Sequence, residues 1–145
     1  MLSLLPIFVT NRIIMNKLRK YPLSILVIAI ICYLSLFRPP KTELDEIPNF
    51  DKLVHICMYG GLGLVIWFEY LKSHTSINNV RLIIGSVVCP ILFSGLIELI
   101  QEYATTYRGG DWIDLLCNSI GTLLAAVFSY YVIKPSVMKR KITKD

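Results

Sequence analysis

Short polar clusters lie inside or at the rims of three of the four long apolar runs along this chain. The runs extend from Tyr21 to Phe37, Lys52 to Leu71, Val80 to Gln101 and Trp112 to Ile133, and a helix needs about 20 apolar residues to cross a bilayer. The first run is a little short but undiluted. The other three hold Asp51-Lys52-Leu53-Val54-His55, Glu98-Leu99-Ile100-Gln101 and Asp111-Trp112-Ile113-Asp114-Leu115-Leu116-Cys117-Asn118 inside or at their rims. A central acid costs about 2.5 to 3.5 kcal/mol on membrane-insertion scales, so these helices are expected to face one another rather than lipid on all sides. The pattern predicts an all-α polytopic membrane protein: a four-transmembrane-helix bundle over residues 21–133, after an N-terminal segment 1–20 and before a basic tail 134–145.

Composition agrees. Apolar residues make up 54% and charged residues 17% of 145 positions, and the mean hydropathy of +0.59 excludes an ordinary soluble domain. The 15 Lys and Arg residues orient the bundle when the segments between helices are sorted alternately. Arg12, Lys17, Arg19, Lys20, Lys72, Arg81, Lys134, Lys139, Arg140, Lys141 and Lys144 fall on one side, against Arg38, Lys41, Lys52 and Arg108 on the other. Both termini are therefore expected in the cytoplasm, with the loops 38–51 and 102–110 outside. The basic tail then serves as an orientation signal that leans on anionic lipid.

Residues 1–20 hold only a short apolar run, Leu2 to Val9 broken by Pro6, which cannot span. Leu2, Leu5, Phe8 and Ile13 opposite Arg12, Lys17 and Lys20 suit a short interfacial helix. The charges follow this run instead of preceding it, which argues against a cleavable signal. The linker is the outer loop with Pro39, Pro40 and Pro48, whose Glu43, Asp45 and Glu46 are read as solvated; there is no internal repeat and no low-complexity segment. Cys32, Cys57, Cys89 and Cys117 fall one per helix without C-x-x-C spacing and are read as buried reduced thiols.

With this topology the three polar clusters meet at the outer leaflet, and their spacing gives each helix one interior face. The second helix offers Asp51, His55, Tyr59 and Gly63; the third Ser86, Pro90, Ser94, Glu98, Gln101 and Glu102; the fourth Asp111, Asp114, Asn118, Gly121 and Ala125. The small residues at the end of the last series allow a neighbouring backbone to approach closely. A polar funnel open to the outside is expected, with Tyr59 and Asn118 roughly 10 Å below the helix ends.

The order D-K-x-x-H-x-x-x-Y, E-x-x-Q and R-x-x-D-x-x-D-x-x-x-N-x-x-G, from Asp51 to Gly121, resembles the VanZ-like family of small bacterial membrane proteins. The resemblance covers Asp51, Lys52, His55, Tyr59, Glu98, Gln101, Arg108, Asp111, Asp114, Asn118 and Gly121, without departure. It implies a place in the bacterial cytoplasmic membrane and a connection with resistance to the glycopeptide teicoplanin, but no reaction.

Each residue also has a structural reading. Asp111 follows Gly109-Gly110 and suits a helix cap, with Asp114 favoured by the positive end of the helix dipole. Asn118 suits interhelical hydrogen bonding. Lys52 suits snorkelling, and Trp112 and Tyr103 suit the interfacial aromatic belt. His55 and Glu98 lie a turn or more inside their helices and need compensation, which a pair of Glu98 with His55 or Arg108 would supply.

Three functions remain open. The favoured one is binding of a lipid-linked wall precursor or lipophilic ligand at the outer face, through Asp51, Lys52, Tyr59, Gln101, Arg108, Asp111 and Asn118. The second is a membrane enzyme acting on such a lipid, with His55, Glu98 and Asp114 as acid-base candidates and Arg108 on a phosphate oxyanion. The third is a scaffold for another membrane protein. Asp51, His55, Glu98 and Asp114 suffice in number to ligate a divalent cation, but no H-x-x-x-H or D-x-D motif calls for one, so neither metal nor cofactor is expected. A nucleotide fingerprint and a nucleophile elbow are lacking, and nucleic-acid binding is disfavoured.

Overall fold

The computed structural model describes Met15 and residues 18–37, 47–106 and 109–143. Among these, four helices follow one another: α1 (Pro22–Leu36), α2 (Phe50–Ser73), α3 (Asn79–Ala104) and α4 (Trp112–Ile142). No strand occurs among the described residues. The interfacial helix expected over Leu2 to Ile13, the loop residues Pro39, Pro40, Glu43, Asp45 and Glu46, and the basic residues Arg12, Lys17, Arg38, Lys41, Arg108 and Lys144 lie outside the described residues.

Three helices are long and apolar enough to cross a membrane: α2 with 24 residues, α3 with 26 and α4 with 31. The fourth, α1, has 15 residues. At 1.5 Å per residue it spans about 22 Å, against about 30 Å of hydrocarbon. Such a helix has to satisfy its own end groups by other means, since the first N–H and last C=O groups lack intrahelical partners. The glutamate Glu69 of α2 does so at one end. Its carboxylate accepts hydrogen bonds from Leu23 N at 2.8 Å, Ser24 N at 3.0 Å and Ser24 Oγ at 2.6 Å. At the other end Gln101 of α3 donates through Nε2 to the carbonyl of Ser35 at 2.8 Å.

α3 and α4 run further than their apolar patterns suggest because each passes a proline without ending. Wide π turns at Ile84–Val88 and Ser129–Ile133 immediately precede Pro90 and Pro135. A proline in a helix removes one N–H and clashes with the carbonyl four residues back, and a local widening accommodates both. The consequence for α4 is that it continues past Ile133 into the basic residues Lys139, Arg140 and Lys141.

The closest packing joins α2 to α4. Gly121 on α4 lies so near the backbone of Ile56 on α2 that a Cβ there would run into the Ile56 carbonyl, and Gly60 and Gly63 face Gly121 and Ala125. Small residues bring the two backbones together, as expected for helices without a hydrophobic drive to associate within lipid. Apolar clusters fill the rest: Ile31, Tyr59 and Leu62 in the middle, and Trp67, Tyr70, Leu71 and Leu82 toward the Glu69 end. The remaining apolar side chains point outward, among them Leu92, Leu116, Leu124 and Val127. Of the four cysteines only Cys117 is buried; Cys57 and Cys89 are exposed on the outer faces of the helices, which corrects the reading of all four as interior thiols. They occupy helix positions just outside the interior series, where the packed face ends.

Candidate functional site

The interior faces read from the spacing are interior in the structure. His55 and Tyr59 on α2, Ser94, Glu98 and Gln101 on α3, and Asp114, Asn118 and Gly121 on α4 are all buried. They converge at the end of the bundle where α2 and α4 begin and α3 finishes. Asp51 and Glu102 mark the rim, both exposed.

The centre of the cluster is an asparagine held between two helices. Asn118 Nδ2 donates to Ser94 Oγ on α3 at 2.6 Å, and Asn118 Oδ1 lies 3.0 Å from His55 Nδ1 on α2. With the amide so placed, the ring's Nδ1–H donates to Asn118. The other ring nitrogen, Nε2, lies 3.3 Å from Asp114 Oδ2. The second oxygen of Asp114 receives Lys52 Nζ at 2.5 Å, and the same ammonium reaches Asp111 Oδ2 at 2.6 Å and Asp51 Oδ2 at 3.2 Å. Lys52 therefore gathers three carboxylates at the rim, and charge-assisted hydrogen bonds hold its ammonium there.

Asp111 performs two tasks. Its Oδ1 accepts the N–H of Ile113 at 2.8 Å, the capping role its position suggested, while Oδ2 meets Lys52. The Lys52 ammonium, with the Ile113 N–H second, holds the Asp111 carboxyl below its ordinary value of 3.8, against a small opposing effect of burial. The Asp111 backbone N–H donates to Glu98 Oε2 at 2.9 Å, and Gly110 N donates to Glu102 Oε2 at 2.9 Å. This close seating explains the glycine: a Cβ on Gly110 would stand 2.5 Å from the Glu98 carbonyl oxygen. The sequence expected Glu98 to pair with His55 or Arg108. Among the described residues His55 lies against Asp114 and Glu98 accepts the backbone N–H of Asp111, while Arg108 lies outside the described residues.

His55, Glu98 and Asp114 each offer one ligand atom within 4.8 Å of the others, one side chain from each of α2, α3 and α4. Tyr59 Oη and Gln101 Oε1 are buried without a hydrogen-bond partner among the described residues. Instead of an open funnel there is a closed cluster, with Asn118 1% exposed. Beside it a cleft of about 220 Å³ opens at the rim, lined by Glu98, Glu102, Tyr103, Gly110, Asp111 and Trp112. Tyr103 and Trp112 are 84% and 71% exposed, as aromatic rings at a membrane boundary would be. The polar residues that spacing did not single out are Glu69 and Ser24. Their signal was an acid alone among Trp67, Phe68 and Tyr70, together with a helix opened by Pro22 and lacking a capping side chain of its own.

No curated protein and no solved structure matches the chain. The VanZ/LLP1 family model matches residues 2–134, nearly its whole length and the whole of the polar cluster. The chain therefore belongs to the VanZ/LLP1 family.

Proposed function

We propose that this chain is a multi-pass protein of the bacterial cytoplasmic membrane that holds the head group of a lipid-linked wall precursor or lipophilic ligand at the Asp111 end. The observation that carries the reading is the cleft at that rim, where the carboxylates of Glu98, Glu102 and Asp111 adjoin the exposed rings of Tyr103 and Trp112. Acids beside aromatic faces suit a ligand with amine or hydroxyl donors and an apolar portion. An outward-facing cleft is supported by the charge pattern, since Lys72, Arg81, Lys134, Lys139, Arg140 and Lys141 lie toward the opposite end of the helices. The connection with glycopeptide resistance belongs to the same reading.

The direct test is saturable binding of a panel of phospholipids and polyprenyl-linked precursors to the purified protein in nanodiscs. Glu102→Gln and Trp112→Ala are expected to weaken binding with the helical content unchanged. If no lipid class binds saturably, the reading fails. A second reading, a membrane enzyme, draws on the His55–Asp114 pair, an imidazole nitrogen and a carboxylate oxygen 3.3 Å apart between which a proton can pass. Release of phosphate or head group from a bound lipid, abolished by His55→Ala, would favour it over simple binding.

A further inference from the structure

We propose that His55, Glu98 and Asp114 form a binding site for one divalent transition-metal ion, of the kind that imidazole and carboxylate donors select: zinc, manganese or ferrous iron. The three residues come from three helices, are each buried, and bring their ligand atoms within 4.8 Å of one another.

Each side chain is already oriented through its other atom. His55 Nδ1 is held by Asn118 Oδ1, Asp114 Oδ1 by Lys52 Nζ, and Glu98 Oε2 by the Asp111 backbone N–H. This is the outer shell that metal-binding histidines and carboxylates characteristically have, in which the partner fixes the tautomer and the plane of the ligand. The other ring nitrogen, Nε2, lies 3.3 Å from Asp114 Oδ2, on the side of the ring away from Asn118. Metal binding would replace any proton shared along that edge, since a ligating imidazole is neutral and a ligating carboxylate ionised. Bonds of 2.0 to 2.2 Å to a tetrahedral zinc separate neighbouring ligand atoms by roughly 3.3 Å, so this edge needs no adjustment.

A second, independent observation comes from Tyr59. Its side chain is 1% exposed, and Oη has no hydrogen-bond partner among the described residues. That hydroxyl lies beside Ser94 and within electrostatic range of Glu98. A buried phenol usually finds a partner. Three protein ligands leave a metal with at least one position for water, and Tyr59, one turn from His55 on the same face of α2, is a group to which that water can bond.

The proposal stands apart from the lipid reading, because metal binding is measured without any lipid ligand. Full-length protein in detergent, stripped with a chelator, is titrated with Zn2+ and Mn2+ by calorimetry, and retained metal is counted by elemental analysis. One equivalent per chain is expected, with a rise in the thermal midpoint. His55→Gln and Glu98→Gln abolish that equivalent, and Asn118→Ala weakens it by about 10- to 100-fold through loss of the outer shell. The chain's other histidine serves as control, and His74→Ala retains full binding. Co2+ absorption of the wild type reports the coordination number without any substitution, so a variant that fails to fold leaves the test intact. Absence of a bound equivalent in wild type, or loss of it in His74→Ala with retention in His55→Gln, overturns the proposal.

Discussion

Buried acids occur at both ends of α2, and the two ends treat them differently. Glu69, about 21 Å along the helix from His55, spends its carboxylate on the first turn of α1: two backbone N–H groups and one hydroxyl, all from Leu23 and Ser24. Glu98 and Asp114 sit instead among side chains that titrate or coordinate, His55 and Lys52 with Asp111 close by. The first arrangement closes a helix end that would otherwise leave backbone donors unsatisfied in an apolar setting. The second brings ionisable groups from three helices to one point, which helix capping alone does not require. A buried acid is thus a staple when its partners are backbone groups of one helix, and a candidate for chemistry when its partners are other ionisable side chains.

Substitutions at the two ends test that distinction. Glu69→Ala is expected to have the largest effect, about 3 kcal/mol of stability, since it strands charge-assisted donors at the start of α1. Glu69→Gln should recover part of it, and unfolding in mixed micelles followed by circular dichroism would measure both. Next comes Lys52→Met, at about 2 kcal/mol, because it leaves Asp111 and Asp114 without their shared ammonium. At the opposite end of α1, Gln101→Leu should cost about 1 kcal/mol by releasing the Ser35 carbonyl.

Within the cluster itself, His55→Ala and Asn118→Ala are expected to cost only about 0.6 kcal/mol each, the typical worth of an interhelical polar contact in a membrane protein, while metal binding is lost in the first and weakened about 10- to 100-fold in the second. Should these two variants destabilise the bundle as much as Glu69→Ala does, the cluster is a second staple and the contrast disappears. The smallest effect concerns pH. Asp111 has its folded pKa lowered, so its contribution is present above the unfolded value and is lost as pH falls through the folded one. Asp111→Asn, which keeps a capping oxygen but cannot ionise, should therefore lower the melting temperature slightly at neutral pH and flatten the acid limb below about pH 4, where variant and wild type converge.

The helices and their interior faces were legible in the sequence because both follow from local periodicity. Apolar length marks a span, and residues three or four apart share a face whatever the helix later packs against. That is why His55, Tyr59, Ser94, Glu98, Asp114, Asn118 and Gly121 could be assigned to one interior, and why Asp111 could be read as a cap after Gly109-Gly110. The charge pairing was not legible. His55 meets Asp114, Lys52 gathers three carboxylates, and Glu98 spends one oxygen on the backbone of Asp111, contacts set by how closely the helices approach, as where Gly121 meets Ile56. The role of Glu69 was hidden for the same reason: its partners lie 45 and 46 residues away in the chain. The sequence by itself determined which residues are apolar enough to form helices and which polar residues must find partners. Only the tertiary structure decided which partners those are, because a hydrogen bond or ion pair is settled by distances between helices, and no local pattern encodes them.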